Sequence, residues 1–108
     1  ADQVVADFEE FVAQLEEKLP GTHLVFIAIK PSIKRWNQWP VMKDANDQIA
    51  ALSSKKGHLH FADIGKPMLE TENGEPNPEL FAKDGLHLND AGYVTWQKVV
   101  EKILIGLD

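Results

Sequence analysis

Two short apolar segments, "HLVFIAIK" at residues 23–30 and "HLHFADIG" at residues 58–65, constrain the fold of this chain more than any other feature. Each has the length of a strand, and segments with helical periodicity lie before, between and after them. Strands that alternate with helices pair in parallel through right-handed crossovers. The sequence therefore predicts an α/β domain with two parallel strands. Because the strands are apolar on both faces, we expect helices on both sides of the sheet.

Three segments predict the helices around these strands. The first has apolar residues at helical spacing, which are Val4, Val5, Phe8, Phe11, Val12, Leu15 and Leu19. Pro20 ends that pattern, a second helix is predicted from about Val41 to Lys56, and the last begins near Asp90. Residues 66–85 predict a long irregular loop, of a length that is usually functional rather than a mere connection.

The chain length of 108 residues fits one domain and no more. Two strands make a very small sheet, and apolar strands need further strands at their edges. We therefore expect residues 1–108 to form a single partial domain, the C-terminal half of a flavodoxin-like, doubly wound fold. The chain also begins without Met and almost directly in a helical pattern. We expect it to be a piece of a longer protein or a processed product.

The charge and composition exclude several classes of partner. The net charge is −6, which argues against a nucleic acid or an anionic membrane because both bind clustered Lys and Arg. The absence of cysteine excludes disulfides, thiolate zinc sites and a cysteine nucleophile, but leaves the compartment open. No apolar run approaches the roughly 20 residues of a membrane span. None of these properties identifies a substrate.

The segment "KDGLHLNDAGY" places an aspartate three residues before a histidine. A Ser-His-Asp site needs a carboxylate that holds one imidazole nitrogen while the other nitrogen faces the nucleophile. A tight turn can bring Asp84 back to His87, and Gly85 gives that turn backbone freedom. Asn89 or Asp90 is a suitable N-cap for the next helix. The spacing alone fits a simpler interpretation as well, in which Asp84 caps a turn and His87 is a surface residue.

A longer segment, "LFAKDGLHLNDAGYVTW", resembles the last conserved block of the SGNH hydrolases, also called GDSL esterases and lipases. The residues that agree with this block are Asp84, Gly85, His87, Leu88, Asn89, Gly92 and Tyr93. Upstream, "LPGTHLVFIAIKPSIKRW" is similar to the fourth strand of the family, and "HLHFADIGKPML" is similar to the fifth. The resemblance implies that His87 is a catalytic base and that Asp84 orients it.

The resemblance also implies parts that this sequence does not contain. The nucleophile of the family is a serine in an N-terminal "GDS" block, and its oxyanion hole adds a glycine and the asparagine of a "GxND" block. None of these motifs occurs in the 108 residues. The resemblance therefore implies the C-terminal half of a serine hydrolase that cleaves acetyl or acyl esters of a carbohydrate, a lipid or a small alcohol. We expect this half to be inactive alone.

Two other groups of residues could carry chemistry. Ser32 follows the first strand, where the sites of α/β proteins cluster, but it lacks the glycine-rich strand-to-helix turn that exposes a nucleophile. We interpret it as a structural loop residue. His58 and His60 share a face of the second strand, with Asp63 nearby, and could bind a metal. They lie at the sheet end away from the expected site, so we predict no metal and no other cofactor.

The first strand allows a second, non-catalytic interpretation. In the sheet order of the family its other neighbour is the third strand, which the resemblance places outside these residues. The apolar edge of residues 23–30 would then expose unpaired backbone groups. Two copies could pair these edges across a two-fold axis. In this interpretation the chain is a truncated module that forms a homodimer or a domain-swapped oligomer.

Overall fold

The structure is a computed structural model that describes residues 2–107. In chain order its elements are α1 (Asp2–Lys18), β1 (Leu24–Ile27), a 3₁₀ turn (Trp36–Gln38), α2 (Trp39–Ser53), β2 (Leu59–Ala62), α3 (Gly65–Met68), a second 3₁₀ turn (Pro78–Leu80) and α4 (Asp90–Gly106). The two strands pair in parallel, with Leu24 opposite Leu59 and Ile27 opposite Ala62. The predicted α/β class and the parallel pair of strands are confirmed.

The larger part of the core lies between the sheet and the first two helices. Its buried residues are Val5, Phe8, Val12, Ala45, Ile49 and Leu59. Phe8 of α1 meets Phe26 of β1 edge to face, with the ring centroids 5.4 Å apart. Full burial of an apolar side chain of this size contributes roughly 1.5–3 kcal/mol. The helical spacing of the apolar residues in α1 and α2 thus produces one continuous interface with the sheet.

A second apolar cluster supports the segment that precedes α4. Met68, Phe81 and Leu88 are buried together, and Trp96 of α4 packs against them. Phe81 and Leu88 also form an isolated antiparallel bridge. This bridge fixes both ends of the turn at residues 82–87, and it therefore positions the Asp-x-x-His motif.

Both strands are shorter than their apolar segments predict. Beyond β1, the side chain of Asn46 in α2 takes the place of a strand neighbour. Its Oδ1 accepts from the N–H of Ile29 at 2.9 Å, and its Nδ2 donates to the carbonyl of Ile29 at 2.9 Å. After β2 the chain turns at once into α3, a single helical turn where the sequence predicts only an irregular loop. α2 begins earlier than predicted, because Pro40 is favoured in a first helical turn.

Helices flank the sheet, as the sequence predicts, but several apolar side chains of β1 and α4 are not covered. Ile27 of β1 is 38% exposed, and no strand within residues 2–107 lies beside the outer edge of β1. In α4, Gly92 is the one buried residue of those described, while Val94 and Leu104 are half exposed. The reason is geometric: within the described part of the chain no element packs on these surfaces.

Candidate active site

The structure brings Asp84 and His87 together in one turn. Nδ1 of His87 lies 2.5 Å from Oδ2 of Asp84. An ionised carboxylate only accepts hydrogen bonds, so Nδ1 is the donor and Nε2 is left unprotonated in the neutral ring. The second oxygen of Asp84 accepts from the N–H of Leu86 at 2.9 Å and from the N–H of His87 at 3.0 Å. Both oxygens of the carboxylate are therefore fixed, and the ring orientation is fixed with them.

The electrostatics of this turn keep Asp84 ionised. The hydrogen bond from His87, followed by those from the two backbone N–H groups, holds the pKa of Asp84 well below its usual range. At neutral pH the carboxylate therefore retains its charge and does not take the proton of Nδ1. The imidazole remains accessible, because the side chain of His87 is 72% exposed. Nε2 has no hydrogen-bond partner among residues 2–107.

The backbone of the turn requires glycine at its second position. Gly85 has a φ of +67°, in the left-handed region, where a side chain is strained. A Cβ at this position would also lie 3.3 Å from the Cβ of Ile33. The carbonyl of Gly85 accepts from the N–H of Lys34 at 3.0 Å. The glycine thus lets the turn rest closely on the loop that follows β1.

The same loop contacts the turn through a lysine that sequence reasoning missed. Nζ of Lys30 donates a hydrogen bond of 2.6 Å to the carbonyl oxygen of Leu86. Partial burial lowers the pKa of Lys30, while the nearby charge of Asp84 acts in the opposite direction. A cation directly after an apolar strand, at the sheet end where α/β sites form, is the signal that could have identified it.

The start of α4 holds the far side of the turn. Asn89 is the N-cap, and its Oδ1 accepts from the N–H of Gly92 at 2.9 Å. Its Nδ2 donates to the carbonyls of Glu79 at 2.7 Å and Phe81 at 3.2 Å. Gly92 is needed because a Cβ there would clash with the carbonyl oxygen of Leu80. Asn89 and Gly92 thus hold α4 close to the segment that leads into the turn.

Ser32 lies in the loop after β1 and is buried. Its hydroxyl accepts a hydrogen bond of 3.1 Å from the N–H of Arg35. This bond closes a local turn, as expected of a structural serine.

A cleft of about 340 Å³ lies beside the loop that follows β1, lined by Ile33, Trp36 and residues between 71 and 78. Ile33 also lines the turn at Gly85, so the cleft adjoins the Asp84–His87 motif.

The histidines at the other end of the sheet have different neighbours. Nε2 of His60 lies 2.9 Å from Nδ1 of His23, and Nε2 of His58 lies 3.0 Å from a carboxylate oxygen of Glu16. Within residues 2–107, no three side chains of the metal-binding types converge on a point. Over the same residues, no helix is both long enough and apolar enough to cross a bilayer.

Comparison with known proteins defines the class to which this fold and motif belong. Residues 1–94 match the profile of the GDSL-like Lipase/Acylhydrolase family, and the chain therefore belongs to that family. In fold it is similar to a solved structure of a proposed platelet activating factor from Streptococcus pneumonia, with a TM-score of 0.78 and 22% identity. That match covers 95% of this chain and 51% of the other, so the chain spans about half its length. None of the curated proteins searched matches the chain.

Proposed function

We propose that this chain is the C-terminal segment of a serine ester hydrolase of the SGNH type, in which His87 is the general base and Asp84 orients it. One observation carries the proposal. Nδ1 of His87 is held by a carboxylate that is itself fixed by two backbone N–H groups, while the ring is 72% exposed. A merely structural histidine needs neither a fixed tautomer nor an open second nitrogen.

The proposed reaction is the two-step hydrolysis of a carboxylic ester. A serine supplied by an N-terminal half attacks the ester carbonyl while Nε2 of His87 takes its proton. The same nitrogen then gives that proton to the leaving alcohol, and Asp84 stabilises the imidazolium that forms in between. Water attacks the acyl-enzyme in the same way and releases the acid. The N–H donors that stabilise the oxyanion would also come from the N-terminal half.

The substrates are acetyl or acyl esters of a carbohydrate, a lipid or a small alcohol. The cleft that adjoins the turn offers the apolar and aromatic surfaces of Ile33 and Trp36 to such a molecule. Asn73 and Glu75 on the opposite loop add polar groups that could orient hydroxyls. The net charge of −6 argues against a substrate that carries many negative charges.

Hydrolysis of p-nitrophenyl acetate tests this proposal in two forms of the protein. The 108-residue chain alone should show no rate above that of its His87→Ala variant, because it holds neither the nucleophile nor the oxyanion donors. The product of the complete gene should carry "GDS" and "GxND" upstream, and should lose its activity with the same substitution. An active 108-residue chain that loses its rate with His87→Ala would contradict the assignment of the missing parts. Undiminished activity of the complete His87→Ala protein would contradict the role of His87.

A second candidate function, self-association, is favoured by the outer edge of β1. The parallel ladder alternates, so the N–H and C=O groups of Val25 and Ile27 point away from β2. Beside this edge lies a cavity of about 520 Å³, lined by apolar residues of β1 and by Val4 and Phe11 of α1. When no N-terminal half covers this edge, we propose that a second copy of the chain pairs with it across a two-fold axis.

Sedimentation of the 108-residue chain at micromolar concentration tests the pairing. We expect a dimer or larger oligomer that Ile27→Lys dissociates, because a charge would have to be buried between the two edges. Val41→Lys is the matched control, since Val41 is an exposed apolar residue on α2 that does not line the cavity beside this edge. A stable wild-type monomer, or equal dissociation by both substitutions, contradicts the proposal.

A further inference from the structure

Lys30 connects the sheet to the turn that carries Asp84 and His87. It lies shortly after the carboxyl end of β1, and its Nζ donates 2.6 Å to the carbonyl oxygen of Leu86. Leu86 is the residue directly before the histidine, so this carbonyl belongs to the peptide group that leads into the imidazole. The bond spans a long stretch of sequence and joins the loop after β1 to the motif before α4.

The same peptide group is held from its opposite side. The N–H of His87 donates to Oδ1 of Asp84 at 3.0 Å. Because a peptide group is planar, the direction of the carbonyl also sets the direction of the N–H. Lys30, the peptide, the carboxylate and Nδ1 of His87 thus form a continuous chain of hydrogen bonds, and such bonds strengthen one another.

Neither an ion pair nor full solvation explains the lysine at this position. Lys30 forms no salt bridge with the part of the chain that the structure describes. Partial burial lowers the pKa of Lys30 by penalising its charged form, the charge of Asp84 acts to raise it, and Arg35 acts to lower it again. An apolar residue of the same length would fill this space without that penalty. Among the described residues, the hydrogen bond that this ammonium makes is the one to the Leu86 carbonyl.

We propose that Lys30 is a positioning residue, whose bond to the Leu86 carbonyl fixes the turn so that His87 keeps its Nδ1–H tautomer and aims Nε2 at the nucleophile. This inference rests on the proposed function, in which His87 is the base. Lys30 itself touches no reacting atom. It acts through the peptide group and Asp84.

Nitrogen-15 NMR of the histidine side chains in the 108-residue chain tests the inference without any hydrolysis assay. The neutral wild-type ring of His87 should show a single Nδ1–H tautomer. In Lys30→Met, which keeps the length of the side chain and removes the donor, we expect a mixture of both tautomers. Lys30→Arg should restore the wild-type signal, because a guanidinium can donate to the same carbonyl.

Lys83→Met is the matched control, because it removes an exposed positive charge next to Asp84 without removing a bond to the turn. It should leave the tautomer of His87 unchanged. A wild-type signal in folded Lys30→Met, or the same loss in Lys83→Met, overturns the inference. If the Met variant does not fold, Lys30→Leu replaces it with the same two outcomes, since its side chain is also apolar and carries no donor.

The complete protein provides a second readout that a purely structural role would not move. Lys30→Met should lower kcat about 10–100-fold at an unchanged KM, because displacement of a catalytic group by about 1 Å costs up to about 10²-fold. An equal loss in Lys83→Met would overturn the inference here too. Failure of the proposed function would appear as undiminished hydrolysis by His87→Ala, and the NMR result does not depend on that assay.

Discussion

The two ends of the sheet each hold a contact between a histidine and a carboxylate, and the two contacts differ in almost every other respect. At the carboxyl end, Asp84 and His87 are three residues apart, and the carboxylate also accepts two backbone N–H groups. At the amino end, Glu16 of α1 reaches His58 just before β2. Glu16 is shared with Lys56, whose Nζ lies 2.8 Å from one of its oxygens. The first pair is fixed by its own turn, whereas the second joins distant elements on the surface.

The difference matches what the proposed catalytic role of His87 requires and an ordinary ion pair does not. The imidazole of His87 uses Nδ1 for the carboxylate and keeps Nε2 open, with the side chain 72% exposed. In His58 it is Nε2 itself that lies against the carboxylate of Glu16, without hydrogen-bond geometry, and the side chain is only 24% exposed. Proximity of a histidine and a carboxylate is therefore not sufficient. A base needs a fixed tautomer and a free nitrogen that faces a substrate.

The largest effect that separates the two ends concerns the rate of ester hydrolysis. In the complete hydrolase proposed above, we expect His87→Ala to lower kcat by about 10⁴-fold or more, because the serine would lose its base. His58→Gln should leave kcat nearly unchanged, since that ring points to Glu16 at the opposite end of the sheet. Steady-state kinetics with p-nitrophenyl acetate measure both. A comparable loss in the two variants would remove the distinction between the ends.

Substitution of the two carboxylates should separate the two ends of the sheet in the same way, with a smaller effect on kcat. Asp84→Asn should lower kcat by up to about 10⁴-fold, because an amide cannot stabilise the imidazolium and favours the wrong tautomer. Glu16→Gln should have no effect on kcat. Steady-state kinetics with the same ester measure both variants. Equal activity of Asp84→Asn and the wild type would show that Asp84 is not an orienting group.

Much of this arrangement could be predicted from the sequence, because it depends on local chemistry. The glycine after Asp84 and the asparagine before the last helix indicate a tight turn that leads into a helix, and the spacing of Asp84 and His87 lets their side chains meet across it, although the spacing alone fitted a plain surface turn as well. The parallel pairing of the strands likewise followed from their alternation with helices. The structure bears out the α/β class and shows the side chains of Asp84 and His87 in contact.

The parts that the sequence could not provide depend on contacts between distant residues. Nζ of Lys30 bonds to the carbonyl oxygen of Leu86, which lies far from it along the chain, and nothing in either segment specifies this bond. At Ile29 the side chain of Asn46 makes the backbone hydrogen bonds that a neighbouring strand would otherwise make. The apolar segment therefore continues beyond the end of β1. The exposure of Ile27 and Phe11 could not be predicted either, because an apolar residue at helical or strand spacing predicts burial. Whether such a residue is covered depends on which elements surround it.

One glycine near each end of the sheet allows the effect of an added methyl group on the free energy of unfolding to be compared. Gly92→Ala should destabilise the chain by about 1–3 kcal/mol, because its Cβ would press on the Leu80 carbonyl and on Leu88. Gly57→Ala, directly before His58, should change the free energy of unfolding by less than about 0.5 kcal/mol, because nothing lies within 4 Å of its Cβ. Urea unfolding followed by circular dichroism measures both. Equal urea midpoints for the two variants would show that the close packing of α4 on Leu80 and Leu88 does not contribute to stability.

The smallest expected effect is the titration of the two carboxylates. The pKa of Asp84 is depressed chiefly by the hydrogen bond from His87, and that of Glu16 chiefly by the bond from Lys56. A depressed pKa in the folded state adds stability above the pKa of the unfolded carboxyl, about 4. This stability is lost as the pH falls through the folded value. Carbon-13 NMR of the side chains should therefore show Asp84 still ionised at a pH where Glu16 is being protonated.

Substitution of each partner distinguishes how the two depressed values arise. Lys56→Ala should return the pKa of Glu16 most of the way to its usual value, since the other favourable contributions all come from His58. His87→Ala should raise the pKa of Asp84 only in part, because the N–H groups of residues 86 and 87 still donate to its Oδ1. A full return of Asp84 to an ordinary carboxyl pKa in His87→Ala would mean that the backbone does not fix this carboxylate. The turn would then be no better organised for catalysis than the surface pair at the other end of the sheet.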